Sequence, residues 1–182
     1  DTAGPTTPNG EALEHKHGDS HLVANTIPNC VSYDPTYAFE LAVIVRSGLE
    51  RMYEKHENIF YYITTMNELY THPEMPENSE EGIIKGMYSL KSVGQGDKQV
   101  QLMGSGTILR EVETAAQMLA DDWGVKSDVW SVTSFNELAR EAQAIDRVNR
   151  FSADVAKVPY ITQCLEDAKG PVIVATDYMR NY

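Results

Sequence analysis

From Gln99 to Ala175 the hydrophobic period switches repeatedly between strand and helix, and this alternation restricts the possible folds more than any other feature of the chain. Gln99 to Met103 reads as a strand. Leu109, Val112, Ala116 and Leu119 then recur at helical spacing, with Gly124 where a C-terminal cap belongs. Ser127 to Thr133 is bounded like a strand, with Trp130 and Val132 on one face and Val129 on the other. Ser134-Phe135-Asn136-Glu137 fits a capping box, and the helix behind it carries Leu138, Ala142, Ile145 and Val148 on one face. A short helix near Tyr160 to Leu165 and an apolar strand, Val172 to Ala175, follow. Strand, helix, strand, helix, strand is the pattern of a parallel α/β sheet. Upstream, Tyr88 to Val93 and Gln99 to Met103 flank the Gly-rich stretch GQGDK and are candidates for a hairpin; the last residues, TDYMRNY, read as the start of a further helix.

The first part of the chain is organised differently. Asp1 to Ser20 is dense in Gly, Pro, Thr, Asn and His, an irregular segment that must lean on something else. Cys30 to Tyr33 is a short apolar run. Asp34-Pro35 then suits an N-cap and a first helical position, predicting a helix to about Tyr53 that is apolar on more than one face and so buried between layers. Ile59 to Thr65, aromatic and β-branched, reads as a buried strand. THPEMPENSEE, from Thr71 to Glu81, has the profile of an exposed linker and marks a domain boundary.

Charge and cysteine content exclude several classes of function. A formal charge of -12, from 15 Lys and Arg against 27 Asp and Glu, argues against nucleic acid or an anionic membrane as a partner. Cys30 and Cys164 are the only cysteines, far apart, so neither a disulfide framework nor a thiolate zinc site is signalled, and a reducing cytoplasm is the default location. No apolar run reaches the roughly 20 residues of a membrane span. The chain begins at Asp1 rather than Met, which points to a processed or truncated protein.

Two stretches carry candidate chemistry. His15, His17 and His21 are spaced H-x-H-x3-H, which allows a zinc-type site, a plain polar loop, or a single histidine that reaches a cleft and titrates near neutral pH as a general acid or base. Gly104-Ser105-Gly106 lies between a strand and a helix, where backbone N–H groups can hold an anion; lacking the third glycine of a dinucleotide fingerprint, it reads better as a tight βα turn. Tyr61, Tyr62, Trp123 and Trp130 read as core or interface packing, and Asp121-Asp122 as solvated surface.

The segment LEHKHGDSHLVANTIPNCVSYDP resembles the histidine loop and following strand of the middle domain of homodimeric bacterial pyruvate dehydrogenases, members of the transketolase-like superfamily. NIFYYITTMNELYTHPEMPENSEEGIIKGMY, VQLMGSGTILREVETAA, SDVWSVTSFNELAR and PVIVATDYM resemble the same family in order and spacing, so the likeness runs the whole chain. It implies an α/β fold: the end of a pyrimidine-binding middle domain over residues 1–75, joined to a truncated transketolase-like C-terminal domain over residues 76–182, with a mostly parallel sheet flanked by helices.

The resemblance also implies chemistry. The parent enzyme would use thiamine diphosphate and Mg2+, held mainly by residues outside this chain, to decarboxylate pyruvate and reductively acetylate a lipoyl group. Its partners would be a second copy of itself and the dihydrolipoyl acetyltransferase core with its lipoyl domains. The last histidine of the family loop falls on His21, the implied catalytic residue, which would hydrogen-bond and exchange protons with pyruvate-derived intermediates or the lipoyl group; an earlier one falls on His15, implied to bind substrate. Lys16, His17 and Asp19 depart from the family loop. No Lys or Arg occurs from Ile59 to Leu69, where transketolases place a phosphate-binding arginine, which favours an unphosphorylated 2-oxo acid. The alternatives are a non-catalytic dimerisation or docking fragment and a His-rich metal-binding protein.

Overall fold

The computed structural model describes residues 6, 18–152 and 156–182, in two sheets that meet along a polar seam. In the first part, helix α1 (Ser20–Asn25) leads into strand β1 (Cys30–Tyr33). Helix α2 (Ala38–Leu49) continues into a π-helical turn at Glu50–Glu54, and strand β2 (Phe60–Ile63) returns parallel to β1 with Cys30 opposite Phe60 and Tyr33 opposite Ile63. The second part runs through helix α3 (Glu80–Lys85), strands β3 (Tyr88–Val93) and β4 (Gln99–Gly104), helix α4 (Ile108–Trp123), strand β5 (Lys126–Ser131), helices α5 (Phe135–Phe151) and α6 (Tyr160–Leu165), and strand β6 (Val172–Ala175).

The second sheet has the order β3-β5-β4-β6. Strands β5, β4 and β6 are mutually parallel and β3 is antiparallel to β5, so the alternation of periods does produce the parallel sheet it predicts. The hairpin does not form: β5 lies between β3 and β4. The reason is in the side chains. On β5 Ser127, Val129 and Ser131 are buried, which suits a central strand, whereas on β3 only Tyr88 is fully enclosed, which suits an edge. A five-residue connection readily crosses the roughly 10 Å over one intervening strand.

Local capping chemistry explains where the helices begin and end. Ser134 caps α5 as predicted, its hydroxyl accepting from the Glu137 N–H at 3.0 Å, but Glu137 completes no box because its carboxylate pairs with Arg140 at 2.8 Å. Gly124 ends α4 in the left-handed conformation at φ +60. Helix α2 does not start at Asp34-Pro35. The Glu40 carboxylate turns back and accepts from the N–H groups of Thr36 at 2.5 Å and Tyr37 at 2.9 Å, which fixes the first turn at Ala38 and releases Asp34 for another use. The final residues form bends and a turn rather than a helix.

The two parts share their core. Tyr37 packs with Val100, Leu102, Leu109 and Val129; Val31, Tyr33, Val43 and Ile44 pack with Ile83 and Tyr88. Burial of the outer elements is lower than the sequence predicts. Trp123 is 75 % exposed, Val148 lies open on α5, and the apolar strand β6 is an exposed edge. No helix among the described residues is long and apolar enough to cross a membrane.

Candidate functional site

Every parallel strand delivers its C-terminal end to one place. Asp34 follows β1, Thr64 follows β2, Ser105 and Gly106 follow β4, Thr133 and Ser134 follow β5, and Thr176 and Tyr178 follow β6. In open α/β sheets ligands bind outside the carboxyl ends of the strands, because the backbone there leaves the sheet and frees side chains to converge. Here two sheets present those ends to each other. Backbone bonds from Asp34 N–H to the Thr133 carbonyl (2.8 Å) and from Gly106 N–H to the Asp34 carbonyl (3.1 Å) fix their separation.

His21, on α1, is the centre of this cluster and is fully buried. Its Nε2 lies 2.9 Å from Thr64 Oγ1, and that hydroxyl donates to Asp34 Oδ1 at 2.6 Å, with the Tyr33 carbonyl as a longer acceptor at 3.4 Å. An ionised carboxylate and a carbonyl only accept, so the single hydroxyl proton of Thr64 goes to one of them and Nε2 must carry the proton shared with Oγ1. The other ring nitrogen, Nδ1, is then a bare lone pair. It is buried and has no hydrogen-bond partner among the described residues. Tyr62, Tyr178 and Tyr182 surround the ring, with centroids 5.3, 4.7 and 4.8 Å away, the first two edge-on and the last stacked. Asn136 donates to the His21 carbonyl at 2.8 Å and to Ser32 Oγ at 2.6 Å, tying α1 to the start of α5.

Electrostatics follow from this burial. Desolvation lowers the His21 pKa to about 3, so the imidazole is neutral at physiological pH rather than titrating near neutrality. Asp34 is pushed up to about 6: burial raises it, hydrogen bonds from Thr64 and Ser105 hold it down, and the nearby carboxylates of Asp177 and Glu40 raise it further. At pH 7 it is mostly ionised. The Gly104-Ser105-Gly106 turn packs against Asp34: the Gly106 N–H donates to the Asp34 main-chain carbonyl, and the Ser105 side chain hydrogen-bonds to its carboxyl group. Gly106 has φ +49, and a Cβ there would fall 2.4 Å from an Asp34 carboxylate oxygen, so a glycine is required for the two segments to approach.

Of the sequence-predicted residues, His21 and the Ser105-Gly106 turn are placed in the cluster. His15 and His17 lie outside the described residues, and among the described residues no group of three His, Cys, Asp or Glu side chains is arranged to hold a metal. Asp34, Thr64, Tyr178 and Asn136 were missed. The signal that reveals the first three is positional: each is polar and stands past the end of a parallel strand, whereas Asn136 lies in the first turn of α5.

Comparison with known proteins decides the family. Residues 1–73 match the family described as the pyruvate dehydrogenase E1 component middle domain, and residues 86–182 match the transketolase-like TK C-terminal domain. The chain belongs to the pyruvate dehydrogenase E1 family. The E1 component of Pseudomonas aeruginosa is 57% identical over 183 residues, covering 100% of this chain and 21% of that protein, and the E1 component of Escherichia coli is 56% identical over 181 residues, covering 98% and 20%. The chain thus spans about a fifth of the length of the curated relatives it matches. Solved transketolases share its fold: a Pichia stipitis mutant superposes with a TM-score of 0.57 at 19% identity, covering 94% of this chain and 20% of that one. The Leishmania mexicana enzyme superposes with a TM-score of 0.55 at 18% identity, covering 98% and 22%.

The fit of a thiamine diphosphate cofactor is tested by the donor set. A diphosphate requires cationic or metal partners. No Lys or Arg is among the groups that shift Asp34 or His21, and Asp34 is already committed to hydroxyls. This cluster does not fit the diphosphate or its Mg2+. What it offers is a neutral imidazole with a defined tautomer and a free acceptor nitrogen.

Proposed function

We propose that this chain forms one wall of the substrate site of a thiamine-diphosphate-dependent pyruvate dehydrogenase, with His21 as the hydrogen-bonding residue. The longer protein would decarboxylate pyruvate and reductively acetylate the lipoyl group of a dihydrolipoyl acetyltransferase core, as a cytoplasmic homodimer whose diphosphate and Mg2+ are bound by residues beyond this chain. We place the boundary between its middle and C-terminal domains at residues 75 and 76, and His15 beside the substrate.

The observation that carries this reading is the bare, buried Nδ1 of His21 at the point where the parallel strands of both sheets end. An unpaired acceptor in a low-dielectric site costs about 1–3 kcal/mol, which a protein tolerates where a ligand hydrogen completes the bond. A neutral imidazole accepts a hydrogen bond from a hydroxyl that develops on the substrate carbonyl, and it takes up a proton there once the site exposes it to a compensating negative charge. The test is His21→Ala in the full-length enzyme. Acetyl transfer from pyruvate to a lipoyl acceptor is expected to fall roughly 100-fold or more, with a far smaller change in melting temperature; unchanged turnover removes the role.

The docking reading is favoured by a separate observation, the 46, 53 and 52 % exposure of Val172, Ile173 and Val174 on an edge strand. Sedimentation of the purified chain as a strict monomer with no affinity for the acetyltransferase core would count against it.

A further inference from the structure

We infer that Thr64 and Asp34 are positioning residues for His21: a carboxylate–hydroxyl–imidazole relay that selects the tautomer in which Nδ1 is the free acceptor. This rests on the reading of His21 given above and adds the machinery that sets its state.

The geometry is specific. Asp34 Oδ1, Thr64 Oγ1 and His21 Nε2 are joined by contacts of 2.6 and 2.9 Å, and all three residues are buried. Hydrogen bonding at one ring nitrogen of a histidine decides what the other can do, and here the relay directs the proton to Nε2. The carboxylate is itself anchored from the opposite sheet. Ser105 hydrogen-bonds to it, Tyr178 OH lies 3.5 Å from Oδ1, and Gly106 leaves no room for any side chain between turn and carboxylate. Ser105 is in turn paired with Thr176 at 3.0 Å. Strand ends of the C-terminal sheet therefore set the position of Asp34, Asp34 orients Thr64, and Thr64 orients the histidine of the N-terminal part. Simple core filling would not need this arrangement: a valine at position 64 has the same shape as threonine, and the two short contacts of the hydroxyl are those to Asp34 and His21.

The relay makes a prediction that packing alone does not. In the full-length enzyme, Thr64→Val keeps the volume and removes the relay, so kcat for acetyl transfer is expected to fall between about 10- and 100-fold. Thr64→Ser, which restores a hydroxyl, is expected to stay within about threefold of the parent. In the His21→Ala background, adding Thr64→Val is expected to cause no further loss, since the hydroxyl acts only through the imidazole. Melting temperatures of all four variants separate loss of fold from loss of relay. If His21→Ala is impaired while Thr64→Val turns over like the parent, or if the two losses multiply in the double variant, the relay is wrong and the role of His21 survives. If His21→Ala is itself unimpaired, the underlying reading has failed instead.

Discussion

The seam between the two sheets and the outer rim of the second sheet bury opposite kinds of group. At the seam, Glu40, Asp34, His21, Thr64, Ser105, Ser131 and Thr133 are all buried, whereas Val172, Ile173 and Val174 of β6, Val148 and Phe151 of α5, and Trp123 at the end of α4 are all exposed. The usual ordering of polar outside and apolar inside is reversed at both places. The difference shows where each region gets its energy. Seam groups are held by hydrogen bonds whose geometry is fully specified, so each loss leaves partners unpaired; rim groups are held by little and lose little when changed.

The largest effect that would sharpen this comparison is expected at Glu40. Its two carboxylate oxygens accept from Thr36 N–H, Tyr37 N–H, Tyr88 OH and Ser131 OH, and these donors come from both parts of the chain. Glu40→Ala leaves four buried donors without an acceptor and is expected to cost about 3–5 kcal/mol in denaturant unfolding. A loss below about 1 kcal/mol would break the comparison, because the seam would then be no more demanding than the rim.

A smaller and more diagnostic effect is expected from pH. His21, lowered from 6.5 to about 3, contributes stability that is complete above pH 6.5 and is lost as the pH falls toward 3. Asp34, raised from 3.8 to about 6, acts the other way: its contribution is complete below pH 3.8 and is lost as the pH rises through 6. The two slopes oppose each other over the shared window, between about pH 4 and 6. Asp34→Asn removes one of them, so this variant is expected to lose stability on acidification through that window more steeply than the parent, as read from melting temperature against pH. His21→Gln is expected to tilt the profile in the opposite sense. Parallel profiles for all three proteins would mean that the two side chains are not buried together.

The smallest effects belong to the rim. Ile173→Thr and Trp123→Ser are each expected to change stability by no more than about 0.5 kcal/mol in the isolated chain. A much larger loss at Ile173 would show that β6 is covered in solution, and would favour the docking reading.

The same contrast explains what could be read in advance. Helix α4 was legible because Leu109, Val112 and Ala116 repeat at 3.6 residues and Gly124 can end a helix in a way few residues can. Strands β4 and β5 were legible for similar reasons. Their pairing was not, since the order of strands depends on which faces are covered by distant elements, and the GQGDK stretch suits a hairpin and a crossing loop equally well. His21 stands out with His15 and His17 by spacing, and only the family likeness singles it out among the three. Asp34 was misread as an N-cap because Asp before Pro is a local signal, and nothing local indicates that Glu40 takes over the capping while Thr64, thirty residues on, claims the carboxylate. Polar residues at strand ends become recognisable as a site only when the strands are known to be parallel.

Glu40 also sets how the molecule responds to ionic strength. Burial pushes its carboxyl group above the usual carboxylate range, hydrogen bonds from hydroxyl and amide groups hold it down, and no cation is among the groups that influence it. Surface pairs such as Arg46 with Glu80 and Arg150 with Asp146 weaken as the Debye length shrinks toward 3 Å in molar salt. Hydrogen bonds between buried groups at contact distance have no such screening to fear, so the join between the two parts is expected to hold in concentrated electrolyte while these surface pairs weaken.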